Sequence, residues 1–453
     1  MAEPMRSLSA RRSERQLAAR ALAHRRAMHA AEAVTALRGG SLGLMDFVDS
    51  VLVLASSSRS GSTVTQATLS GISGLWITPG ETAPYDSLVM PTFPERNSDG
   101  LGGAAPHEVE RWRRDLVRLL SLEAIASGGD GAASPRVDRP GVALRLVWQW
   151  PGLVDFDRAL DLVERIAAER SLSSAGGWDI RDVASRLEAD EQRRAGELCR
   201  FYDGGGRPHD GATTHRLPFD ALVEEPPFIV LSEAPDARRL RGAAPNVLLL
   251  KGPAWAYRLE VLLAMFGPRL KVLHLTRNPA AAINGLIDGW LSPSGFFSRR
   301  MYEGPGLAID GYSNRFSWGR DWWKFDLPPG WRDMRRACLV DVCAFQWVSA
   351  HRAIADFHMA HPEVPYLRLR FESLIGGDWP RRVFADAVHR FIGLPASGDQ
   401  FASVLRRPVM STAPPQRFRW QARADELQRA LEAEAVVCLA REMGYVDDRG
   451  DWL

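Results

Sequence analysis

The sequence predicts an α/β protein with a central parallel sheet flanked by helices, and two observations support that prediction. Short runs of apolar, β-prone residues recur along the chain, at residues 51–55, 247–250 and 271–276. Helical segments follow these runs, including residues 279–290, where proline occupies the first turn and its missing N–H costs nothing. Strands that alternate with helices pair in parallel, and ligands then bind beside the carboxyl ends of those strands.

The remaining elements are assigned from periodicity and from turn residues. Further strands are predicted at 142–150, 228–231 and 365–371, and further helices at 107–125, 255–266, 432–443 and twice within 156–200. Residues 71–94 are rich in turn formers, while 126–141 and 201–217 have the composition of surface loops. This pattern predicts a main domain over residues 46–446 that carries a helical and loop insertion at 126–217.

Residues 1–45 form a separate N-terminal extension in this interpretation. Arginines and alanines dominate residues 5–38, and apolar residues recur there at helical spacing, which predicts one amphipathic helix ending near Gly39. Such a helix packs on its own domain or on the second copy in a homodimer, or it docks on an acidic partner or a membrane surface. The sequence leaves these alternatives open.

Composition excludes several classes of protein. The chain has 453 residues, 45% of them hydrophobic and 25% charged, which is ordinary for a globular protein. A net charge of +2 argues against a protein that coats nucleic acid. The four cysteines are scattered and fit a reducing compartment better than disulfides or a zinc site. No apolar run reaches membrane-spanning length and no signal peptide is evident, so we expect a cytoplasmic protein without an integral membrane segment.

Residues 51–63 have the pattern of an anion-binding site. An apolar strand leads into a loop of small residues, and a helix is predicted to begin near Ser62. Unpaired N–H groups and the helix dipole both favour negative charge at such a junction. Arg59 adds a full positive charge, and the hydroxyls of Ser60, Ser62 and Thr63 add donors. The alternative is an ordinary serine-rich turn between a strand and a helix.

Two more cations are predicted to lie near this loop. Lys251 follows the strand at 247–250, and Arg277 follows the strand at 271–276. Because the carboxyl ends of parallel strands share one edge of a sheet, these side chains and the loop after residue 55 are expected to converge. This convergence is the strongest inference from the pattern alone.

The loop does not fit a metal-bridged triphosphate. It lacks the G-x-x-x-x-G-K-[ST] order of nucleoside triphosphatases, and no predicted strand ends in an aspartate placed to help hold magnesium. A kinase or triphosphatase of the P-loop class is therefore the weaker alternative, beside a non-catalytic module that keeps a nucleotide pocket. No metal is expected.

These segments resemble bacterial sulfotransferases that use 3′-phosphoadenosine 5′-phosphosulfate (PAPS). Arg59-Ser-Gly-Ser-Thr63 is similar to the loop that binds the 5′-phosphosulfate in that family, and Thr276-Arg-Asn-Pro279 is similar to its 3′-phosphate motif. The segments at 250–253 and 410–420 add to the likeness. The resemblance implies a P-loop-like sulfotransferase fold and transfer of a sulfuryl group from PAPS to a hydroxyl of a small-molecule acceptor.

The resemblance also implies site residues. The 5′ loop would contribute Ser57, Ser58, Arg59, Ser60, Gly61, Ser62 and Thr63. Lys251 would be a second phosphosulfate contact, Arg277 would bind the 3′-phosphate, and Arg417 and Arg419 would close over that phosphate from the tail. The family usually has serine eight residues after the motif arginine, where this chain has Gly285, so Asn284 or a backbone N–H is expected to substitute.

The proton acceptor and the acceptor pocket are less defined. Many relatives have histidine where this chain has Trp255, so Glu81 is the first candidate for a catalytic base, ahead of His107, Glu95 and Glu233. Arg59 cannot donate a proton at ordinary pH and is assigned an electrostatic role. Aromatic residues concentrate between 296 and 331 and either wall a pocket for a bulky, aromatic or glycosidic acceptor or form core.

Overall fold

The computed structural model describes most of the chain in segments. These are residues 21–22, 24–40, 43–78, 81–90, 103–123, 125–126, 139–149, 154–169, 239–240, 246–292, 298–301, 306–316, 319–320, 322–406 and 416–445. The strands in chain order are β1 (Ser50–Ala55), β2 (Leu75–Ile77), β3 (Ile125–Ala126), β4 (Arg239–Leu240), β5 (Val247–Lys251), β6 (Leu270–Thr276), β7 (Ser298–Arg300), β8 (Trp322–Lys324) and β9 (Tyr366–Arg370).

Helices surround these strands. In chain order they are α1 (residues 24–37), α2 (Leu44–Phe47), α3 (Ser62–Leu69), α4 (Ala83–Val89), α5 (Pro106–Glu123), α6 (Arg139–Gln149), α7 (Phe156–Glu169), α8 (Leu259–Phe266), α9 (Pro279–Trp290), α10 (Leu339–Ala360), α11 (Phe371–Ile375), α12 (Asp378–Ile392), α13 (Gly398–Leu405), α14 (Ala424–Glu432) and α15 (Glu434–Glu442). Short 3-10 turns occupy Pro253–Tyr257, Gly267–Arg269, Trp331–Arg336 and Arg419–Arg423.

The central sheet confirms the predicted fold class. Within the described residues it is entirely parallel and has the strand order β2-β5-β1-β6-β9. β1 lies in the middle, and every one of its side chains is buried. A central parallel strand is covered by helices on both faces, which is why its sequence is a continuous apolar run without alternation. All five carboxyl ends therefore open on the same edge.

The segment at 142–150 corrects one prediction. It was predicted as a strand because Trp148 and Trp150 alternate about a glutamine, but residues 139–149 form helix α6. Every side chain from Val142 to Trp148 is buried, Arg145 included. A helix buried on all sides shows no amphipathic period, so its apolar run cannot be distinguished from that of a buried strand.

Smaller differences concern element boundaries. The predicted helix at 255–266 is divided into a 3-10 turn and α8, and the predicted terminal helix begins two residues later and follows a separate helix, α14. Residues 71–94 contain β2 and α4 besides turns. The predicted strand at 228–231, the polar loop at 201–217 and nearly all of the loop at 126–141 lie outside the described residues, as does the second helix expected within 156–200.

Helix α1 packs on the hydrophobic core beside the central sheet. Ala27, Ala30, Ala31 and Val34 of α1 are fully buried and belong to the hydrophobic cluster that includes β1. Their spacing places them on one face of the helix. Among the described residues, no helix combines the length and apolarity that crossing a bilayer requires.

A buried histidine pair joins β6 to α10 beneath the carboxyl edge of the sheet. His274 Nε2 and His351 Nδ1 are 2.8 Å apart, and His274 Nδ1 lies 2.6 Å from the Tyr366 hydroxyl. Burial lowers the pKa of His351 to about 3 and, with the charges of neighbouring groups, holds the pKa of His274 well below its usual range. Both imidazoles are therefore neutral in the folded protein.

We expect this pair to make the fold acid-sensitive. The unfolded chain takes up protons as pH falls through about 6.5 while the folded chain does not, so the free energy of unfolding decreases by up to about 1.4 kcal/mol per pH unit for each histidine. His351→Asn removes one such group and should flatten the fall in chemical denaturation between about pH 6.5 and 4.5. His361→Asn is the control, because a hydrogen bond to Glu260 raises the pKa of that half-buried imidazole and the sign is opposite. Equal slopes in wild type and His351→Asn would contradict the assignment.

Candidate active site

The loop between β1 and α3 is buried and tightly turned. Arg59 has φ 65° and Gly61 has φ 90°, so both occupy the left-handed region that side chains disfavour. A Cβ atom on Gly61 would overlap the ring of Phe371. Glycine is required at position 61 for both reasons. The left-handed Arg59 is a strained residue of the kind that accumulates at functional sites.

The serine hydroxyls of this loop are largely committed within the protein. Ser57 and Ser60 share a hydrogen bond with 2.5 Å between their oxygens, and both side chains are buried. Ser58 donates to Asp326 Oδ1 over 2.7 Å. Ser58 therefore has no hydroxyl proton left for an anion, whereas the Ser57–Ser60 bond uses only one of the two protons of that pair. Ser62 is partly exposed at the first turn of α3.

Arg59 and Arg277 lie together at the carboxyl edge. Arg277 donates from Nη1 to the carbonyl of Arg59 over 3.1 Å, and Arg59 Nε lies 3.3 Å from the carbonyl oxygen of Gly285. A Cβ atom on Gly285 would lie 3.3 Å from Arg59 Cβ, closer than side chains normally approach. The glycine that departs from the family's serine therefore makes room for Arg59 against helix α9.

Electrostatics at this pair favour a bound anion. Burial, and after it the charge of Arg277, lowers the pKa of Arg59 to about 10, against a partial opposing effect from Asp288. Burial also lowers the pKa of Arg277, with Glu372 acting in the opposite direction. Arg277 Nε is buried without a hydrogen-bond acceptor among the described residues. A bound anion would stabilise the charged forms of two desolvated cations that lie side by side.

The start of α9 is fixed by its own cap. The side chain of Asn278 accepts from the N–H of Ala281 over 2.8 Å, and Pro279 occupies the first turn. Glu372 Oε1 accepts from both the backbone N–H and Nδ2 of Asn278, each over 2.8 Å, and Tyr445 donates to Glu372 Oε2 over 3.1 Å. The motif at 276–279 thus holds the N-terminus of α9 beside Arg277.

A second arginine pair comes from the tail and meets α9 one turn further along. Asp288 forms ion pairs with Arg419 and Arg423, the latter 2.5 Å away. Arg423 also donates to Asn284 Oδ1 over 2.7 Å, which orients this amide and leaves the donors on Nδ2 outside that bond. Arg419 is thereby placed near Arg59 and Arg277, whose pKa values its charge helps to lower. Arg417 is exposed and has no such contact among the described residues.

Lys251 and Glu81 form a buried ion pair behind the loop. Lys251 Nζ contacts Glu81 Oε1 and also donates to Thr63 Oγ1 over 2.9 Å, and its side chain is 2% exposed. Thr63 keeps its own hydroxyl proton for another acceptor. Thr82 holds the strand end, since its N–H and hydroxyl both donate to the Lys251 carbonyl, and Trp255 Nε1 donates to Thr82 over 2.6 Å. Trp255 thus supports the site structurally through Thr82.

The other predicted candidates are less central. His107 is exposed at the start of α5, and Glu95 and Glu233 lie outside the described residues. The aromatic residues of the predicted pocket that the structure describes are core: Trp323 packs edge-on against Trp290 at 5.1 Å and near Trp331 at 5.9 Å, and Tyr312 is fully buried. Phe296, Phe297, Tyr302 and Trp318 lie outside the described residues.

Sequence reasoning missed three residues of this site: Asp288, Asp326 and Arg423. Asp288 is the one that a pattern could have found, since it lies three residues after Gly285 on the same helix and faces the tail arginines. Asp326 lies 268 residues from Ser58 in sequence, and no local pattern joins them. Among the described residues, no group of three or more His, Cys, Asp and Glu side chains is arranged to hold a metal ion.

Together these features define a parallel α/β protein with a cluster of arginines and a serine-rich loop at the carboxyl edge of its sheet. No protein-family model matches the chain, and no curated protein matches its sequence. One similar solved structure is the "Sulfotransferase Domain from the Curacin Biosynthetic Pathway", with 13% identity, coverage of 88% of this chain and 98% of that chain, and a TM-score of 0.36. Another is the "Sulfotransferase Domain from the Synechococcus PCC 7002 Olefin Synthase", with 15% identity, coverage of 87% of this chain and 94% of that chain, and a TM-score of 0.34. TM-scores of this size do not establish a common fold.

Proposed function

We propose that the protein is a sulfotransferase that moves a sulfuryl group from PAPS to a hydroxyl of a small-molecule acceptor. The observation that supports it best is the hydrogen bond from the Arg277 guanidinium to the Arg59 carbonyl, which brings two half-buried arginines together beyond the carboxyl ends of β1 and β6. PAPS carries a phosphosulfate and a separate 3′-phosphate. Two arginine sites beside two helix N-termini suit a ligand with two anionic groups.

The residues divide between the two ends of such a ligand. The loop at 56–63, with Arg59 and the Thr63 hydroxyl, would hold the phosphosulfate. Arg277 would hold the 3′-phosphate with Arg419 beside it. Backbone N–H groups at the start of α3 supply further donors. The fit is consistent with the buried, unpaired Nε of Arg277, which a phosphate oxygen would satisfy.

Sulfuryl transfer needs positioning and charge stabilisation more than covalent chemistry from the protein, as phosphoryl transfer does. Negative charge grows on the oxygen that bridges sulfur and the 5′-phosphate as that bond breaks. Arg59 would stabilise this charge. Lys251, whose Nζ donates to the Thr63 hydroxyl of the same loop, would add to it. The ion pair of Glu81 with Lys251 supports an orienting role for Glu81, because protonating this carboxylate would leave a buried lysine without its partner.

A magnesium-dependent kinase or triphosphatase is the alternative that the anion site raises. It would need a loop lysine and acidic ligands for the metal. The loop has arginine at position 59, and among the described residues no group of three or more His, Cys, Asp and Glu side chains is arranged to hold a metal ion. A non-catalytic nucleotide-binding module is the second alternative. It predicts binding of the nucleotide without turnover.

Transfer of radiolabelled sulfur from PAPS to a panel of hydroxylated metabolites separates these possibilities. We expect the full-length protein to label at least one acceptor in the presence of EDTA, because arginines and backbone donors take the place of a metal. In parallel, calorimetry with 3′-phosphoadenosine 5′-phosphate in EDTA measures binding independently of the acceptor. Binding without labelling favours the non-catalytic module, and a requirement for magnesium and ATP favours the kinase.

A further inference from the structure

Asp326 is a buried carboxylate placed against the anion loop, where a negative charge opposes binding of an anion. Asp326 is 1% exposed. Oδ1 accepts from the Ser58 hydroxyl over 2.7 Å, and Oδ2 accepts from the Tyr257 hydroxyl over 2.7 Å. A carboxylate is costly to bury and weakens an anion site, so its position needs a reason other than donor binding.

The backbone that carries Asp326 is held in a strained shape. Phe325 has φ 63°, in the left-handed region. Gln346 donates from Nε2 to the carbonyls on both sides of it, Lys324 at 2.9 Å and Asp326 at 2.8 Å. Trp323 Nε1 also donates to the Asp326 carbonyl over 2.8 Å. The protein thus fixes the direction in which this carboxylate points.

Helix α9 allows the two residues with left-handed backbone, Arg59 and Phe325, to approach it closely. A Cβ atom on Gly289 would overlap the ring of Phe325, and Gly285, one turn earlier, faces Arg59. Residues four apart lie on the same face of a helix. The two glycines therefore bring Arg59 and Phe325 against one face of α9, and Asp326 follows Phe325 directly.

The hydrogen bond from Ser58 decides what else this serine can bind. A hydroxyl has one proton, and Ser58 gives that proton to Asp326. Its oxygen can then only accept a hydrogen bond from a further partner. It suits a group that donates, such as an acceptor hydroxyl, and it does not suit an anion. Ser58 directly precedes Arg59 in the loop proposed to hold the phosphosulfate.

We propose that Ser58 and Asp326 form a proton relay that deprotonates the acceptor hydroxyl, an inference that rests on the proposed sulfuryl transfer. As the acceptor oxygen bonds to sulfur, the bond from sulfur to the bridging oxygen of PAPS breaks, and its electron pair leaves with the 3′,5′-bisphosphate. The acceptor proton passes to Ser58 Oγ while the Ser58 proton passes to Asp326 Oδ1. Asp326 ends the step as a neutral acid and returns the proton to solvent after product release.

Asp326 is the proton acceptor of this relay, because the charged and titratable groups described around it are a hydroxyl donor, a thiol with a raised pKa and two cations. Tyr257 contacts it from the 3-10 turn as a hydrogen-bond donor. Cys343 approaches from α10, and burial, followed by the charges of Glu426 and Asp326, holds the pKa of its thiol well above the usual range. Lys324 directs its ammonium group to the Ser292 carbonyl, 3.0 Å away. Arg59, the residue after Ser58, stays protonated at neutral pH because its lowered pKa is still about 10.

The test compares Asp326→Asn, Ser58→Ala and Glu81→Gln with wild type in two measurements: the pH dependence of kcat for labelled sulfur transfer, and calorimetric binding of 3′-phosphoadenosine 5′-phosphate. Asp333→Asn is the matched control, an exposed aspartate on the following 3-10 turn. We expect Asp326→Asn and Ser58→Ala to lower kcat by about 10²–10⁴-fold. Asp326→Asn should also lose the acidic limb of the pH profile, while it binds the bisphosphate as tightly as wild type or more tightly.

Several results overturn the relay and distinguish its failure from that of the proposed function. The relay is wrong if both variants keep kcat within about threefold of wild type, or if the acidic limb disappears in Glu81→Gln and persists in Asp326→Asn. It is also wrong if Asp326→Asn loses bisphosphate binding in proportion to kcat, since that indicates support of the loop only. A wild-type protein that neither binds the bisphosphate nor transfers sulfur removes the proposed function and the relay together.

Discussion

Replacing Arg59 with alanine should lower the turnover of sulfuryl transfer by about 10²–10³-fold, the usual effect of removing one preorganised charge-stabilising donor. Arg59 is expected to act on charge that develops at the bridging oxygen, so the loss should appear mainly in kcat. The guanidinium is held in place by the Gly285 carbonyl and by the left-handed backbone at position 59, which makes it preorganised. Rates on the best acceptor of the panel, at saturating PAPS, measure the effect.

Two further variants make this prediction specific. Arg59→Lys keeps a positive charge but loses the planar pair of N–H donors, so its turnover should fall between wild type and Arg59→Ala. Arg382→Ala is the control, because that arginine lies exposed on α12. Near-normal turnover in Arg59→Ala would exclude the electrostatic role of the loop arginine.

Replacing Lys251 with methionine should lower the free energy of unfolding by about 3 kcal/mol, because it leaves the Glu81 carboxylate buried without its ion-pair partner. The Lys251 side chain is 2% exposed and that of Glu81 12% exposed, so water can restore little of the lost interaction. Urea denaturation at neutral pH measures the change. The hydrogen bond to Thr63 is lost in the same variant.

The double variant separates the stability of the pair from its function. Replacing Glu81 with methionine as well removes the orphaned charge, and such apolar replacements of buried pairs are often neutral. Stability should therefore recover in the double variant while sulfuryl transfer stays impaired, because the cation beside the loop is still absent. If the double variant is as unstable as Lys251→Met, the cost does not come from an unpaired charge.

The parts of the fold that depend on local pattern were accessible from the sequence. β1, β5, β6 and α9 lie within one residue of their predicted bounds, since a strand buried in a parallel sheet and a proline-initiated helix each leave a local signature. The loop at 56–61 is likewise a local feature. The identity of α6 was not accessible, because burial on every side removes the period that distinguishes a helix from a strand.

The parts of the site that depend on tertiary contact could not be read in advance. Gly285 was recognisable as a departure, but its cause, the packing of Arg59 against α9, appears only in three dimensions. The expectation that Asn284 replaces the missing serine stays a prediction, and the hydrogen bond that Arg423 donates to its Oδ1 could not be foreseen from the sequence. The burial of Lys251 against Glu81 and the approach of Asp326 to Ser58 join residues more than a hundred positions apart.

Labelled sulfur transfer from PAPS in the presence of EDTA is the most direct test of the central claim, that an arginine-rich site at the carboxyl edge of the sheet performs sulfuryl transfer without a metal. We expect wild type to label an acceptor at the same rate in EDTA and in magnesium, and to release one 3′-phosphoadenosine 5′-phosphate for each acceptor labelled. The account is contradicted if no acceptor is labelled and the bisphosphate does not bind, or if turnover appears only with magnesium and a nucleoside triphosphate.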